Sequence, residues 1–363
     1  MTEALYTSSA PVFEIEGERR GELARDLLRL DVEDSTHGLK RLRATFHGIG
    51  PSTNGGGAEQ LQYLDGAILD FGKKLTVSIG PPSEERTIFA GVISALEIAF
   101  EEGDQPVVTV FAEDELMKLR MSRRMRTYEQ VSDADIARRL ASEHGLSADT
   151  AADGPTYDVV QQWNQSDLAF LRSRAELVQA ELWASDGTLY FKTRGNRTGT
   201  SVTLVQGNHL IAAEIRADLA HQRTKVKVSG FDASQRDRVD EEASGDAIQA
   251  EVSGGVTGPA TLERALGERV TYRLRETPLV ATEATAWAKA ELLRRARAFV
   301  TVVGTTRGTP DLAVGSQVTL ERVGAPFDGG GYYATHVRHS YDLQLGHRTR
   351  FEAERATINE AGR

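Results

Sequence analysis

A chain that carries one short pattern near its start and again near its end is constrained to build the same unit twice. Gly72-Lys73-Lys74-Leu75-Thr76-Val77 and Gly315-Ser316-Gln317-Val318-Thr319-Leu320 share one form: Gly, two polar residues, aliphatic, Thr, aliphatic. Further on, Thr109-Val110-Phe111 matches Thr349-Arg350-Phe351, 39 residues (72 to 111) and 36 residues (315 to 351) after the Gly. Between them Ala90-Gly91-Val92-Ile93 takes the place of Tyr333-Ala334-Thr335-His336-Val337. The same order at similar spacing points to duplication. Leu75, Val77 and Ile79 alternate with polar residues, the period of a strand with one buried face. The expected fold class is mainly β with α+β insertions, with two similar small β-barrels per chain.

Taken in order, residues 1–112 are expected to form the first β-barrel. Val12, Phe13 and Ile15 begin one strand; Leu28, Leu30 and Val32 alternate in the next, and Leu42, Ala44 and Phe46 in a third after His37-Gly38-Leu39. Pro51 to Gly57 reads as a flexible loop, and Phe89-Ala90-Gly91-Val92-Ile93 and Val108 to Ala112 complete the sheet. Closing it would remove the exposed edges. Residues 113–205 read as an α+β insertion with a helix-hairpin signature. Ser132-Asp133-Ala134-Asp135 has the form of a capping box, Ile136, Leu140 and Ala141 line the helix, and Gly145 ends it. Met117, Met121 and Met125 recur at i, i+4 and i+8 and are expected to be buried gap-fillers.

Residues 206–232 and 298–357 are expected to form the second β-barrel. Ala213, Ile215 and Ala217 alternate with Glu214 and Arg216, and Val226 and Val228 with Lys225 and Lys227. Residues 233–297 read as a loop, polar to 257, plus a helical insertion in which Ala286, Trp287, Ala290 and Leu293 share a face.

The helix-hairpin signature runs from Trp163 to Lys192. Ser166 is the N-cap and Asp167 favours the positive end of the helix. Leu168, Leu171, Ala175 and Val178 form an apolar stripe, and Ser185-Asp186-Gly187 turns a hairpin. Gln165-Ser166-Asp167-Leu168-Ala169-Phe170-Leu171 with this hairpin resembles the signature of the phage late control protein D family. That family includes the hubs of contractile phage tails and tailocins and the base of the type VI secretion spike. Gly230-Phe231-Asp232, Gly308-Thr309-Pro310, Phe327-Asp328-Gly329, His336 to Tyr341 and Gly346 to Phe351 are also similar to it, so the resemblance covers nearly the whole chain.

Composition narrows the chemistry. The net charge of −10 argues against a nucleic-acid surface, which requires clustered Lys and Arg. With no cysteine there is no disulfide, thiolate nucleophile or Cys-based zinc site. The N-terminus lacks the basic and apolar regions of a signal peptide, and no run of eighteen apolar residues occurs, so no membrane insertion by this chain is expected. Asn196-Arg197-Thr198 is a chance sequon without a secretory route. His336, His339 and His347 form a local cluster, but residues three apart on a strand face opposite ways, so a structural role is expected. Glu113-Asp114-Glu115 offers paired carboxylates, read as a solvated helix start rather than a glycosidase pair. Gly254-Gly255-Val256-Thr257-Gly258-Pro259 lacks the Lys of a phosphate loop, and no Ser lies in a Gly-x-Ser-x-Gly elbow. No catalytic, cofactor-binding or metal residue is assigned, no cofactor is expected, and the chain is not expected to be an enzyme.

The resemblance implies a structural baseplate hub of a contractile phage-tail-like injection system. In such a hub three chains with two equivalent barrels each form a trimeric, pseudo-sixfold ring joining a trimeric spike to a hexameric inner tube. The implied partners are the chain itself as a homotrimer, a spike or needle protein, an inner tube or tube-initiator protein, and baseplate wedge proteins. Too few residues follow Arg355 for a needle, so the spike is expected to be a separate protein. Synthesis and assembly in the cytoplasm would precede incorporation in a tail-like particle. Two other readings remain: a tail-associated peptidoglycan hydrolase, which needs a carboxylate pair in a cleft, and a carbohydrate-binding tail protein, which needs clustered exposed aromatics. Trp163 and Trp183, bracketing a core-like helix, count against the second.

Overall fold

The computed structural model describes residues 6–51, 59–197, 199–274 and 279–360. Among the described residues strands make up 48% and helices 21%, which makes the fold mainly β with α+β insertions. The first part holds β1 (Val12–Ile15), β2 (Glu18–Arg19), α1 (Gly21–Asp26), β3 (Leu27–Ser35), β4 (Arg41–His47), β5 (Ile49–Pro51), β6 (Glu59–Leu61), β7 (Lys74–Ile79), β8 (Arg86–Ala99) and β9 (Val107–Glu113). The loop read at Pro51 to Gly57 lies, beyond Pro51, outside the described residues. The first insertion follows with α2 (Met117–Met121), β10 (Arg123–Val131), α3 (Asp133–Glu143), β11 (Ser147–Ala151), β12 (Tyr157–Ser166), α4 (Asp167–Val178), β13 (Ala180–Ser185) and β14 (Thr188–Thr193).

After β15 (Ser201–Val205) and β16 (Leu210–Ala217) comes a second insertion. It contains β17 (Lys225–Asp232), β18 (Asp237–Ser244), α5 (Asp246–Gln249), β19 (Val256–Thr257), α6 (Gly258–Leu266), β20 (Val270–Leu274) and α7 (Ala281–Arg297). The chain then returns to the main sheet with β21 (Val300–Arg307), β22 (Gln317–Glu321), β23 (Gly329–Asp342) and β24 (Gly346–Arg355), and ends on β25 (Thr357–Ile358). The stretch 233–257, expected as a loop, is a strand and a short helix: β18 pairs along the whole of β17 as a hairpin. This separate sheet, in the order β18-β17-β20, also takes Lys225–Asp232 away from the C-terminal strands with which the sequence had grouped it.

The duplication is visible strand by strand. Lys74 stands opposite Val92 and Gln317 opposite Tyr333; Val92 in turn faces Glu113 and Tyr333 faces Glu354. Both long strands carry a bulge at the same place, at Ser94 and at Thr335. Gly72 and Gly315 donate to the carbonyls of Ile93 and Ala334, each from a left-handed conformation that favours glycine. A second shared bulge, at Leu28 and Ile211, separates Leu27 from Arg29 and Leu210 from Ala212. That bulge takes Leu28 off the alternation expected of it, and Leu27, Leu30 and Val32 fill the core instead. So β3, β4, β7, β8 and β9 correspond to β16, β21, β22, β23 and β24. Within this frame the Gly match holds residue for residue, while Val110, not Phe111, is the counterpart of Phe351, and Val92, not Ala90, that of Tyr333.

The expected barrels do not close. All ten corresponding strands lie in one 13-stranded sheet with the path β16-β21-β24-β23-β3-β4-β9-β8-β7-β1-β2, and β22 and β15 branch from β23. The edge of β3 that would close the first half pairs instead with β23 of the second. One strand serves both partners because β23 is long and bulged: Gly329 to Tyr333 pair with β22, and His336 to Asp342 with β3.

Each half keeps its own core, one built around Phe13, Leu30, Phe46 and Phe89 and the other around Val302, Leu320, Tyr332 and Phe351. The two insertions share a third core, in which Leu140, Leu168, Leu171 and Phe191 of the first join Val226, Trp287 and Leu292 of the second. Local signals in the first insertion hold as read. Ser132 and Asp135 form a reciprocal capping box, Ser166 accepts from the Ala169 N–H, and Gln179 ends α4 in a left-handed conformation. Asp186 and Gly187 both take positive φ, as a two-residue hairpin turn between β13 and β14 requires.

Candidate functional surface

The joint between the halves is the part of the molecule where residues far apart in sequence meet most directly. From Ser35 opposite His336 to Arg29 opposite Asp342, β3 and β23 form an uninterrupted antiparallel ladder. On one face the Arg338 guanidinium donates to Asp31 Oδ1 at 2.8 Å and His336 Nε2 lies 2.8 Å from Glu33. On the other face His339 is buried opposite Val32, with its Nδ1 3.3 Å from His347 Nε2 and 3.1 Å from Thr349 Oγ1. His336 and His339 therefore face opposite ways, as their spacing implied, but His339 and His347 meet. Burial holds His339 well below the usual imidazole range, the neighbouring His347 adding to the effect. Burial likewise lowers His347 to about 4. Both rings are neutral near pH 7. Among the described residues no group of three or more His, Asp or Glu is arranged to hold a metal.

The acidic triplet is not the solvated helix start that was expected. Glu113 and Asp114 are buried. Glu113 takes two bonds from Arg120, at 2.7 and 2.5 Å. Asp114 accepts from the Lys40 and Leu116 N–H groups, and burial raises its pKa to about 7. Glu115 accepts from the Gly187 N–H at 2.9 Å. The three carboxylates thus brace three separate turns. The Gly-rich stretch at 254–259 leads into a helix capped by Thr257, with Pro at its start.

Sequence reasoning missed the buried charge networks that orient the first insertion. Asp167 is fully buried and receives Arg124 at 2.9 Å, Gln162 at 2.8 Å and His144 at 2.8 Å. Asp133 receives Arg174 at 2.5 Å and the Tyr157 hydroxyl at 2.9 Å. Glu181 binds the Tyr333 hydroxyl at 2.6 Å and Arg197 at 2.9 Å, tying the hairpin to β23. The signal for Asp167 was its first-turn position, which marks a favourable charge but not its partners. A cleft of about 1010 Å³ beside this network is lined by several cations, of which Arg297 is engaged by Glu251 and Arg194 by Glu354.

The outward surface has its own surprises. Met121 and Met125 are 71% and 75% exposed, because α2 ends at Met121 and Met125 lies on β10. Met125 stands opposite Trp163 on β12, itself 66% exposed rather than part of a core. At the far end of the sheet β16 is exposed on most positions, including the apolar Ile211, Ala213 and Ala217.

Residues 57–342, more than half of the chain, match the profile described as the Alg8 N-terminal domain. The chain belongs to the Alg8 N-terminal domain family. No curated protein sequence matches this family member. Among solved structures, it is similar to the 43 kDa tail protein of prophage MuSo2 from Shewanella oneidensis, with TM-score 0.66 at 15% identity, covering 96% of this chain and 99% of the other. It is similar to the tail protein of Neisseria meningitidis MC58, with TM-score 0.65 at 13% identity over 96% of each chain. The E. coli c3393 protein, a component of the type VI secretion system, matches with TM-score 0.58 at 13% identity over 94% of this chain and 76% of its own. The fold of this Alg8 N-terminal domain family member is thus that of phage tail and type VI secretion proteins, which meets the expectation drawn from the helix-hairpin signature. Among its described residues no helix is long and apolar enough to cross a membrane.

Proposed function

We propose that the chain is a structural hub of a contractile phage-tail-like injection system, of the late control protein D kind. In this reading three copies form a pseudo-sixfold ring between a trimeric spike and a hexameric inner tube. The observation that carries it is the duplicated half-sheet: two units of the same strand registers in one chain turn threefold symmetry into approximate sixfold symmetry. The whole-chain similarity to tail proteins supports it at the level of the fold. The halves would build the ring, the insertions at 113–205 and 218–297 would face the spike, tube and wedge proteins, and the assembled ring would leave the cytoplasm with the particle. No catalysis is assigned, since the carboxylates considered for hydrolysis are each engaged in bracing a turn.

Light scattering on the purified protein, alone and with its candidate spike protein, tests this. The expected mass is about 120 kDa, three chains of 39.6 kDa each. A chain that stays at 39.6 kDa with the spike present overturns the ring.

A further inference from the structure

The duplicated strands predict more than a count of copies. Inside the chain, the outer edge of β3 is covered by the second part of β23. The counterpart of β3 is β16, and the counterpart of His336 to Asp342 is Ala95 to Glu101, at the end of β8. Among the described residues, β16 pairs only with β21, apart from a single bridge at Leu210, and β8 beyond Ser94 pairs only with β9. One strand edge and its matching partner are therefore both open, β16 at one end of the sheet and the overhang of β8 beyond Ser94 in the other half.

The side chains on these edges are those of a covered joint. Leu30 and Val32 are buried under β23, while their counterparts Ala213 and Ile215 are apolar yet exposed and partly exposed. Val337 and His339 are buried, while their counterparts Leu96 and Ile98 are partly exposed, and Phe100, the counterpart of Tyr341, is 66% exposed. We propose that β16 of one copy pairs antiparallel with the end of β8 of a second copy of this chain, repeating between chains the joint that β3 and β23 make within one. Transferring the internal register places Ile98 opposite Ile215, Leu96 opposite Ala217, Phe100 opposite Ala213 and Glu97 opposite Arg216.

The charges specify which edges meet. Glu97 is the counterpart of Arg338, and Arg216 that of Glu33, so the sign of each is reversed relative to the internal joint. Pairing β8 of one copy with β3 of another would set Glu97 against Glu33. Pairing β23 with β16 would set Arg338 against Arg216. Like charges directly opposite one another destabilise a strand pair, so only the alternating order of halves is favoured. Of the two acidic residues diagonal to Glu97, Glu214 is paired with Arg216 at 3.1 Å and Asp218 accepts from the Ala220 N–H at 2.7 Å.

The inference rests on the trimeric ring and adds its register. Because the chain has no cysteine, Glu97→Cys with Arg216→Cys can be oxidised without background. The expected product is a covalent trimer on a denaturing, non-reducing gel, formed at least about tenfold more than with Glu97→Cys and Ala212→Cys, whose Cα atoms the register holds too far apart to bridge. A trimer by mass that yields no Glu97–Arg216 cross-link overturns the register and leaves the ring standing. A ladder running past the trimer supports the strand pair and overturns the closed ring. As a second measurement, Glu97→Lys and Arg216→Glu are each expected to weaken assembly about tenfold and to restore it together; equal loss in the double variant overturns the pairing.

Discussion

Where Ala44 faces Val110 in the first half of the sheet, Gly304 faces Phe351 in the second. A Cβ on Gly304 would lie 2.5 Å from the Phe351 ring, so the large side chain is admitted only because its neighbour has none. Where Ile98 faces Val108, His339 faces Thr349 and His347 joins them. Where Asp114 collects the N–H groups of Lys40 and Leu116, Arg355 donates to the carbonyls of Pro326, Asp328, Gly330 and Thr357. The backbone register has thus outlived the side chains that fill it. A strand pair is held by hydrogen bonds that any residue supplies, while a core needs only matched volumes and satisfied polar groups.

Removing what is particular to the second half is expected to cost most. Phe351→Ala empties a closed site and should lower unfolding free energy in urea by about 3–5 kcal/mol. Arg355→Ala should cost a similar amount, about 3–5 kcal/mol, by leaving buried carbonyls without a donor and baring the Tyr332 ring on which Arg355 lies. Asp114→Asn, at the matching place, keeps one acceptor and should cost only about 1–2 kcal/mol.

Acid separates the halves next. His347 titrates near 6.5 when unfolded and near 4 when folded, so between those values the unfolded chain binds more protons. The His347 contribution to stability should be flat above pH 6.5 and fall by about 3 kcal/mol toward pH 4, at roughly 1.4 kcal/mol per pH unit, while Asp114, raised to about 7, contributes the opposite slope over the same range. Melting temperatures of the unsubstituted chain should fall relative to those of His347→Gln as pH drops from 6.5 to 4, and parallel profiles would place the acid sensitivity elsewhere.

Volume exchange is subtler. Gly304→Ala alone should cost about 1–3 kcal/mol by overpacking against Phe351. Gly304→Ala with Phe351→Val installs the small pair of the first half and should cost at least about 0.5 kcal/mol less than the sum of the singles; strict additivity would show that the two residues do not share one space. Smallest of all, Arg338→Ala at the half-exposed joint should cost no more than about 1 kcal/mol, and less in high salt.

The residues differ in how much they reveal before folding. The helix caps at Ser132 and Ser166 and the turn at Asp186-Gly187 were legible because each is a local hydrogen-bond or dihedral requirement. The repeat was legible through Gly72 and Gly315, whose conformation few other residues adopt. Its alignment slipped by one at Phe351 because Thr349-Arg350-Phe351 repeats the Thr-x-Phe composition of Thr109-Val110-Phe111 one position out of the strand register. Exposure of Met121, Met125 and Trp163 was not legible, since an apolar side chain looks the same whether a core or a partner covers it.

By itself the sequence determined the alternating strands of the two halves, the capped helices of the first insertion and the existence of two like units, because these follow from alternation, capping and backbone preference within a few residues, whereas the polar β18 carried no such signal. Tertiary structure alone decided that the units fuse through β3 and β23 instead of closing, that both insertions share one core, and which edges stay open. Strand edges carry the same N–H and C=O groups everywhere, so their pairing is settled by what the folded chain brings alongside.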